Sequence, residues 1–374
     1  MKSESTSLVD FIAEKKSQGA SEKEIRKNFN RYLEMISRKN AVPLHGSFEL
    51  TPLCNLKCKM CYVSLGKEAF SSKQLISVKK WKKLIIDAHN AGMMYSTLTG
   101  GECLTYPRFD EIYLFLRSIG SVPCILTNGL LLNSKRIDFF KRFPPYRIQV
   151  TLYGSSNDAY EKVTGYPVFD EIYHNLVMAR EAQLKVSLAL TPSFYMEDDI
   201  SSVIEVAQSL NIPFGVNANL ITPRENTGRK REDLSIDKYI ELYKLMNKED
   251  LVPIDPIELP DESKVCKPVS GLQCGGGRSG FTIQYNGKMS PCPSLSDLTT
   301  EPFREGFLNA WRRLNQLVNN YPMPGECTDC VYLDYCLYCP AIHNTARNPG
   351  HCDPGVCERT KRLIQEGFMS LPKN

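Results

Sequence analysis

From about residue 46 the sequence alternates between short apolar runs typical of strands and longer stretches with helical periodicity. The predicted strands are 47–50, 95–98, 123–126, 147–152, 185–190 and 214–220, and the predicted helices are 78–91, 109–118, 134–142, 169–181, 200–210 and 236–246. Successive β–α units predict a parallel sheet covered by helices. Six units are two fewer than a complete barrel needs, so we predict an α/β fold with a partial (β/α)6 TIM-like barrel.

Fourteen cysteines in 374 residues are the most unusual part of the composition. The N-terminus has no apolar core of the signal-peptide kind, and no apolar run approaches the roughly 18 residues of a membrane span. We therefore expect a cytoplasmic protein with reduced thiols that serve metal or redox chemistry. A net charge of +4 indicates no nucleic-acid surface.

The cysteines divide the chain. Three lie at 54–61, two are isolated at Cys103 and Cys124, and nine follow position 265. We predict an N-terminal helical segment (1–44, with Ser21 as helix cap), the barrel (45–250), a Pro-rich linker (251–265), a small, irregular cysteine-rich C-terminal domain (266–357), and a C-terminal helix and tail (358–374).

The first cysteine group, Cys54-x3-Cys58-x2-Cys61, offers three thiolates directly after the first predicted strand. Structural zinc sites and most iron–sulfur clusters take four protein ligands, so three leave one metal position open for a group that is not protein. The loop also lies at the strand end where barrel active sites occur. The alternative is a zinc site that a distant Cys or His completes.

Segment 51–62, TPLCNLKCKMCY, resembles the signature of the radical S-adenosylmethionine (SAM) superfamily. The resemblance implies that Cys54, Cys58 and Cys61 hold a [4Fe–4S] cluster whose fourth iron binds SAM, with Tyr62 against the adenine. In that family the reduced cluster cleaves SAM to a 5′-deoxyadenosyl radical, which removes a hydrogen atom from the substrate.

Three later strand ends support the resemblance. Gly100, Gly101 and Glu102 resemble the family's GGE motif, in which glycines allow close approach to a ligand and a carboxylate can pair with the SAM ammonium. Asn128 follows the third predicted strand and Thr151 lies at the end of the fourth; both are expected SAM contacts, with turn or packing roles as the alternative. Tyr153 replaces an Asp that many relatives carry, which leaves the polar contacts there open.

The C-terminal cysteines resemble the SPASM extension of radical SAM enzymes, with x2 between Cys336 and Cys339 where the family usually has x3. The resemblance implies two auxiliary [4Fe–4S] clusters and three clusters in all. Cluster I would take Cys266, Cys274, Cys292 and Cys339, and cluster II would take Cys327, Cys330, Cys336 and Cys357. Whether Cys266 ligates, and whether Cys352 replaces Cys357, stays open. A zinc-ribbon module is the alternative.

The resemblance implies a cytoplasmic oxidoreductase that modifies a peptide or protein, by thioether or C–C crosslinking in the maturation of ribosomal peptides. Its partners would be the peptide, a separate leader-recognition protein, and a one-electron donor such as flavodoxin or ferredoxin, with no nucleic acid and no membrane. The first alternative is a dehydrogenase or epimerase of a small molecule. A sulfatase-maturing enzyme is disfavoured because no Asp follows Cys292, and a non-enzymatic iron–sulfur or zinc regulatory protein is the last alternative.

Overall fold

One mixed sheet organises the fold. A computed structural model describes residues 16–17, 19, 21–65, 70–217, 220–221, 223–224, 232–248, 272, 274–328, 330, 332, 336, 339–341 and 353–366. The strands are β1 His45–Glu49, β2 Tyr95–Thr99, β3 Val122–Thr127, β4 Arg147–Leu152, β5 Val186–Leu190, β6 Phe214–Val216, β7 Gly280–Ile283 and β8 Met289–Ser290. Their order in the sheet is β6-β5-β4-β3-β2-β1-β7-β8.

Helices connect these strands. They are α1 Glu22–Asn40, α2 Val78–Asn90, α3 Phe109–Ser118, α4 Ser134–Arg142, α5 Asn157–Thr164, α6 Phe169–Glu181, α7 Ile200–Ser209, α8 Ile236–Lys248, α9 Pro302–Glu305, α10 Phe307–Asn319, α11 Gly325–Thr328 and α12 Pro354–Gln365. None of these described helices combines the length and apolar character that a bilayer crossing requires.

The partial (β/α)6 barrel is confirmed. Strands β1 to β6 are parallel to their neighbours in sequential order, and every predicted strand and helix of the barrel occurs within a few residues of its predicted bounds. Helix α5 was not predicted, although Ser156 caps its first turn and Gly165 ends it with φ 77°. Such a short helix between a strand and a longer helix gives little periodicity to detect.

The described part of the cysteine-rich region continues the barrel sheet. Strand β7 pairs in parallel with β1, and β8 pairs antiparallel with β7. An irregular domain was expected there, but α10 is a helix of 13 residues that buries Trp311, whose indole Nε1 donates to Ala41 O over 2.6 Å. The predicted linker at 251–265 lies outside the described residues.

Helix α1 is held at its start by a capping box and farther along by contacts with the sheet. Ser21 and Glu24 form the reciprocal capping box, as the sequence predicts for Ser21. Farther along, the buried Glu34 carboxylate accepts hydrogen bonds from Arg38, from His45 at the start of β1 and from Ser279 beside β7. The helix therefore packs against the amino ends of two neighbouring strands.

The two faces of the sheet differ in burial. Phe48 and Leu98 on one face are fully buried, and Phe48 meets Trp81 of α2 edge to face at 6.0 Å. Burying such side chains contributes about 1.5–3 kcal/mol each. The residues that precede them on each strand, Ser47 and Thr97, point to the other face and are half-buried. Strands β3 and β4 show the same alternation of buried and half-buried residues. The helices thus cover one face, and the other faces the barrel interior.

Candidate active site

The three-cysteine loop leaves the carboxyl end of β1 and is held by main-chain hydrogen bonds to α5. Lys57 N donates to Thr164 O over 2.9 Å, and Lys59 N donates to Val163 O over 3.0 Å. The amides that flank Cys58 therefore pair with the end of a helix about 100 residues away in sequence. The loop that carries the predicted catalytic thiols has a fixed path.

Gly100 and Gly101 were expected to allow close approach of a ligand. In the structure the backbone that approaches them belongs to the cysteine loop. A Cβ on Gly100 would lie 2.4 Å from Thr51 O, and one on Gly101 would lie 2.4 Å from Leu53 O. Gly101 N and Glu102 N donate to these same two carbonyls, over 2.7 and 2.9 Å. The glycine pair thus joins the end of β2 to the cysteine loop.

Glu102 is 1% exposed and its carboxylate accepts hydrogen bonds from within the chain. Oε1 accepts from Leu104 N and Thr127 Oγ1, over 3.0 and 2.9 Å, and Oε2 accepts from Asn128 N over 2.8 Å. Burial raises the pKa of this carboxyl, although the three donors oppose the shift. Because each carboxylate oxygen has two lone pairs, one acceptor position on Oε2 is left for a further donor.

Main-chain amides donate hydrogen bonds to two of the three sulfurs. Leu56 N lies 3.4 Å from Cys54 Sγ, and Ser64 N lies 3.3 Å from Cys61 Sγ. None of the twelve described cysteines forms a disulfide. Burial, and then the charge of Glu102, raises the pKa of the Cys54 thiol to about 12. Thiols that receive N–H donors are suitable ligands for an iron–sulfur cluster, because hydrogen bonds to the sulfurs stabilise the bound thiolate.

Asn128 contacts the cysteine loop directly. Its Nδ2 donates to Asn55 Oδ1 over 2.7 Å and to Cys54 Sγ over 3.6 Å. Among the described residues, Asn55 Nδ2 is buried and has no hydrogen-bond partner. A buried donor without an acceptor is costly, so its position beside Cys54 is consistent with a polar group binding there.

Thr151 lies one residue before the end of β4, half-buried and in register with Ala189. Its hydroxyl makes no hydrogen bond to any described residue, so it is available to a ligand. Two residues on, the Tyr153 ring packs edge to face on Tyr160, with ring centroids 6.2 Å apart. Burial, and then the charges of the Cys58, Cys61 and Cys54 thiolates, raise the pKa of Tyr153, so this phenol lies near the three-cysteine group.

Sequence analysis missed a buried ion pair beside the site. Glu49, the last residue of β1, is fully buried, and its two carboxylate oxygens accept from Arg224 over 2.7 and 2.9 Å. The Arg224 guanidinium lies 5.6 Å from the centroid of the Tyr62 ring and 5.7 Å from that of the Tyr285 ring. The sequence offered one signal for this pair, the charged Glu49 at the end of a strand beside the cysteine motif. Its partner Arg224 could not be identified because it is 175 positions away.

The described C-terminal cysteines fall into two groups by their effects on one another's pKa values. Burial and the nearby Cys274 and Cys339 thiolates raise the pKa of Cys292 to about 12. Burial and the nearby thiolates of Cys357, Cys327 and Cys330 raise the pKa of Cys336, also to about 12. Cys266 and Cys352 lie outside the described residues.

No three His, Cys, Asp or Glu side chains in the described part of the chain come together as ligands of a single metal ion. A four-iron cluster spreads its ligands over separate iron corners, so it needs a wider arrangement than one ion does.

Comparison with known proteins defines the class. Residues 48–210 match the profile of the radical SAM superfamily. This segment, which includes the three-cysteine loop and strands β2 to β5, is a radical SAM domain. The protein is an enzyme, and radical SAM enzymes use SAM and a [4Fe–4S] cluster.

Curated relatives include the antilisterial bacteriocin subtilosin biosynthesis protein AlbA of Bacillus subtilis, 22% identical over 88% of this chain and 75% of AlbA. The sporulation killing factor maturation protein SkfB of the same organism is 26% identical, over 69% of this chain and 62% of SkfB, less than two thirds of that protein. The AdoMet-dependent heme synthase of Methanosarcina barkeri is 23% identical, over 82% of this chain and 93% of the synthase.

Solved structures share the fold. SuiB of Streptococcus suis bound to the precursor peptide SuiA has a TM-score of 0.64 and 16% identity, over 91% of this chain and 82% of SuiB. The anSMEcpe structure with bound AdoMet has a TM-score of 0.68 and 14% identity, over 87% of this chain and 97% of that one. Both superpositions extend beyond the barrel into the C-terminal region.

Proposed function

We propose that this protein cleaves SAM reductively and uses the resulting radical to modify a peptide or protein in an oxidative crosslinking reaction. The observation that carries the proposal is the three-cysteine loop, held between the ends of β1, β2 and α5 with amide donors on its sulfurs. Two of the relatives, AlbA and SkfB, are named for the biosynthesis or maturation of a bacteriocin or killing factor.

Cys54, Cys58 and Cys61 would hold the catalytic [4Fe–4S] cluster, and SAM would bind its open iron. When bound, the cluster and SAM supply a 5′-deoxyadenosyl radical that takes a hydrogen atom from the substrate. The chain orients SAM and excludes water around it. For this we assign Tyr62 to the adenine, the Gly100–Gly101 backbone and the remaining Oε2 lone pair of Glu102 to the SAM ammonium, and Asn128 and Thr151 to other polar groups of SAM.

A polypeptide substrate is supported by the solved structure of SuiB with its precursor peptide SuiA, whose fold this chain shares over 91% of its length. A small-molecule substrate is the second candidate, favoured by the similarity to the heme synthase. The sulfatase-maturing alternative stays disfavoured, because Pro293 follows Cys292 where a carboxylate base is expected.

Two auxiliary [4Fe–4S] clusters complete the proposed cofactor set. Cluster I would bind Cys274, Cys292 and Cys339, with Cys266 as the fourth ligand, and cluster II would bind Cys327, Cys330, Cys336 and Cys357. The mutual effects of these thiolates on the pKa values of Cys292 and Cys336 support the grouping. Such clusters would accept the electron that an oxidative crosslink releases.

The proposed partners are a precursor peptide, a separate protein that recognises its leader, and a one-electron donor such as flavodoxin or ferredoxin. We place the enzyme in the cytoplasm, where such donors and reduced thiols occur.

Three measurements test the proposal. Protein purified without oxygen should contain about twelve iron and twelve sulfide per chain, as three four-iron clusters require. SAM cleavage to 5′-deoxyadenosine should be lost in Cys58→Ala but kept in Cys103→Ala, a buried cysteine outside the groups. Finally, short open reading frames beside the gene should encode a peptide that gains a crosslink on incubation. One or two zinc without iron, or SAM cleavage by Cys58→Ala, contradicts the proposal.

A further inference from the structure

The cluster of Glu49, Tyr62, Arg224 and Tyr285 has a geometry that the proposed chemistry does not yet use. Arg224 touches Tyr62 twice: its main-chain N donates to Tyr62 O over 3.1 Å, and its guanidinium lies 5.6 Å from the Tyr62 ring centroid. The aromatic residue expected against the SAM adenine therefore has an arginine beside its ring and on its carbonyl.

Glu49 fixes the guanidinium in this position. The carboxylate is fully buried and accepts two hydrogen bonds in the side-by-side arrangement that only arginine provides. It also lies 3.4 Å from Tyr285 N. Because Glu49 is the last residue of β1, the ion pair is anchored to a central strand of the sheet and not to a surface loop.

A second aromatic ring lies beside the same guanidinium. Tyr285, two residues after β7, is 7% exposed, and its ring centroid lies 5.7 Å from the guanidinium. Cys61 and Tyr62 pack with Tyr285 in one apolar cluster that includes Val63 and Phe70. Tyr62 is therefore held by a main-chain hydrogen bond, by the guanidinium beside its ring and by apolar packing. Its neighbour in sequence is Cys61, a proposed ligand of the catalytic cluster.

We propose that Arg224, anchored by Glu49, is a positioning residue for SAM, which it acts on by fixing the ring of Tyr62 in the orientation that receives the adenine. This inference rests on the proposed function. A fixed ring binds a flat ligand without first losing its own rotational freedom, and the loss of that preorganisation weakens binding. A desolvated cation–π contact also favours one placement of the ring.

Arg224→Lys keeps the charge beside Glu49 but removes the planar, two-point contact. We expect SAM affinity to fall about tenfold, because an ammonium that lacks the two-point contact with Glu49 no longer fixes the Tyr62 ring. Equilibrium dialysis of SAM against the oxidised, iron-loaded protein measures it. Arg313→Lys is the matched control, because Arg313 pairs with Glu305 at the surface. Iron content and thermal unfolding establish that each variant is folded and loaded.

A double-mutant cycle with Tyr62→Leu separates positioning from general damage. If Arg224 acts through the ring, Arg224→Lys should weaken SAM binding no further in the Tyr62→Leu protein. Where Arg224→Lys loads poorly, the neutral pair Glu49→Gln with Arg224→Gln should give the same tenfold loss, since it leaves no unpaired buried charge. Unchanged affinity in a loaded variant, or two losses that multiply, overturns the inference. Failure of the proposed function is distinct, because it would appear as SAM cleavage by Cys58→Ala.

Discussion

The side-chain amide of Asn128, at the end of β3, donates to the sulfur of Cys54 in the loop after β1, over 3.6 Å. The two residues are 74 positions apart in sequence, and the contact joins the ends of two strands that are not neighbours in the sheet. It also places a neutral dipole on one proposed ligand of the catalytic cluster.

Asn128→Ala should make the catalytic cluster harder to reduce. A hydrogen bond to a ligand sulfur stabilises the more negative, reduced state. A net contribution of about 0.5–1.5 kcal/mol corresponds to a potential about 20–60 mV more negative in the variant. A redox titration followed by electron paramagnetic resonance measures the shift. Asn133→Ala, at a helix cap away from the loop, is the control, and an unchanged potential in Asn128→Ala contradicts this role.

Gly101→Ala should displace the cysteine loop. The added methyl group would meet the Leu53 carbonyl at 2.4 Å, and this backbone atom cannot move without moving the loop. We expect the variant to lose about four of its roughly twelve iron atoms, and SAM cleavage with them. Gly120→Ala is a stringent control, since it adds a methyl group at φ 80° but meets no atom within 4 Å. Equal iron loss in both variants would contradict the steric explanation.

Glu34→Gln should loosen α1 from the sheet. Burial would raise the pKa of Glu34, but hydrogen bonds from His45 and Ser279, with Arg38 nearby, lower it to about 2. A depressed pKa means that the ionised carboxylate stabilises the fold, here by up to roughly 3 kcal/mol. This contribution is complete above the unfolded value of 4.5 and is lost as the pH falls towards 2.

Urea denaturation of the cluster-free protein measures the free energy of unfolding of wild type and Glu34→Gln. The difference between them should decline as the pH falls below about 4.5 towards 2. Glu22→Gln, at an exposed position on the same helix, should cost only a few tenths of a kcal/mol. A Glu34→Gln cost as small as that one would show that the buried hydrogen bonds contribute little.

Cys357→Ala should remove auxiliary cluster II. Cys357 is the thiolate with the largest electrostatic effect on Cys336, and Cys327 and Cys330 are the others. The variant should retain about eight iron per chain, whereas Cys352→Ala should retain about twelve. The reverse result would assign the ligand to Cys352.

The barrel was predictable because its signals are local. The N-cap at Ser21 and the periodicity of α3, α4 and α6 lie within one helix each, and the three cysteines lie within eight residues. The rest depends on residues distant in sequence. No local signal near residues 280–283 indicates that they pair with β1. The role of Glu49 becomes visible only through its ion pair with Arg224. The glycine pair was recognised, but a motif cannot tell whether a ligand or the chain itself fills the space beside it.

The pairing of β7 with β1 has a consequence for electron transfer. Cys54 follows β1 and Cys292 follows the β7–β8 hairpin, so both proposed cluster sites belong to one hydrogen-bonded ladder with strands about 4.8 Å apart. Tunnelling rates fall steeply with distance, and a shared ladder keeps that distance constant. The separation of the two proposed sites is therefore set by strand pairing and not by the length of the chain segment that joins the two halves.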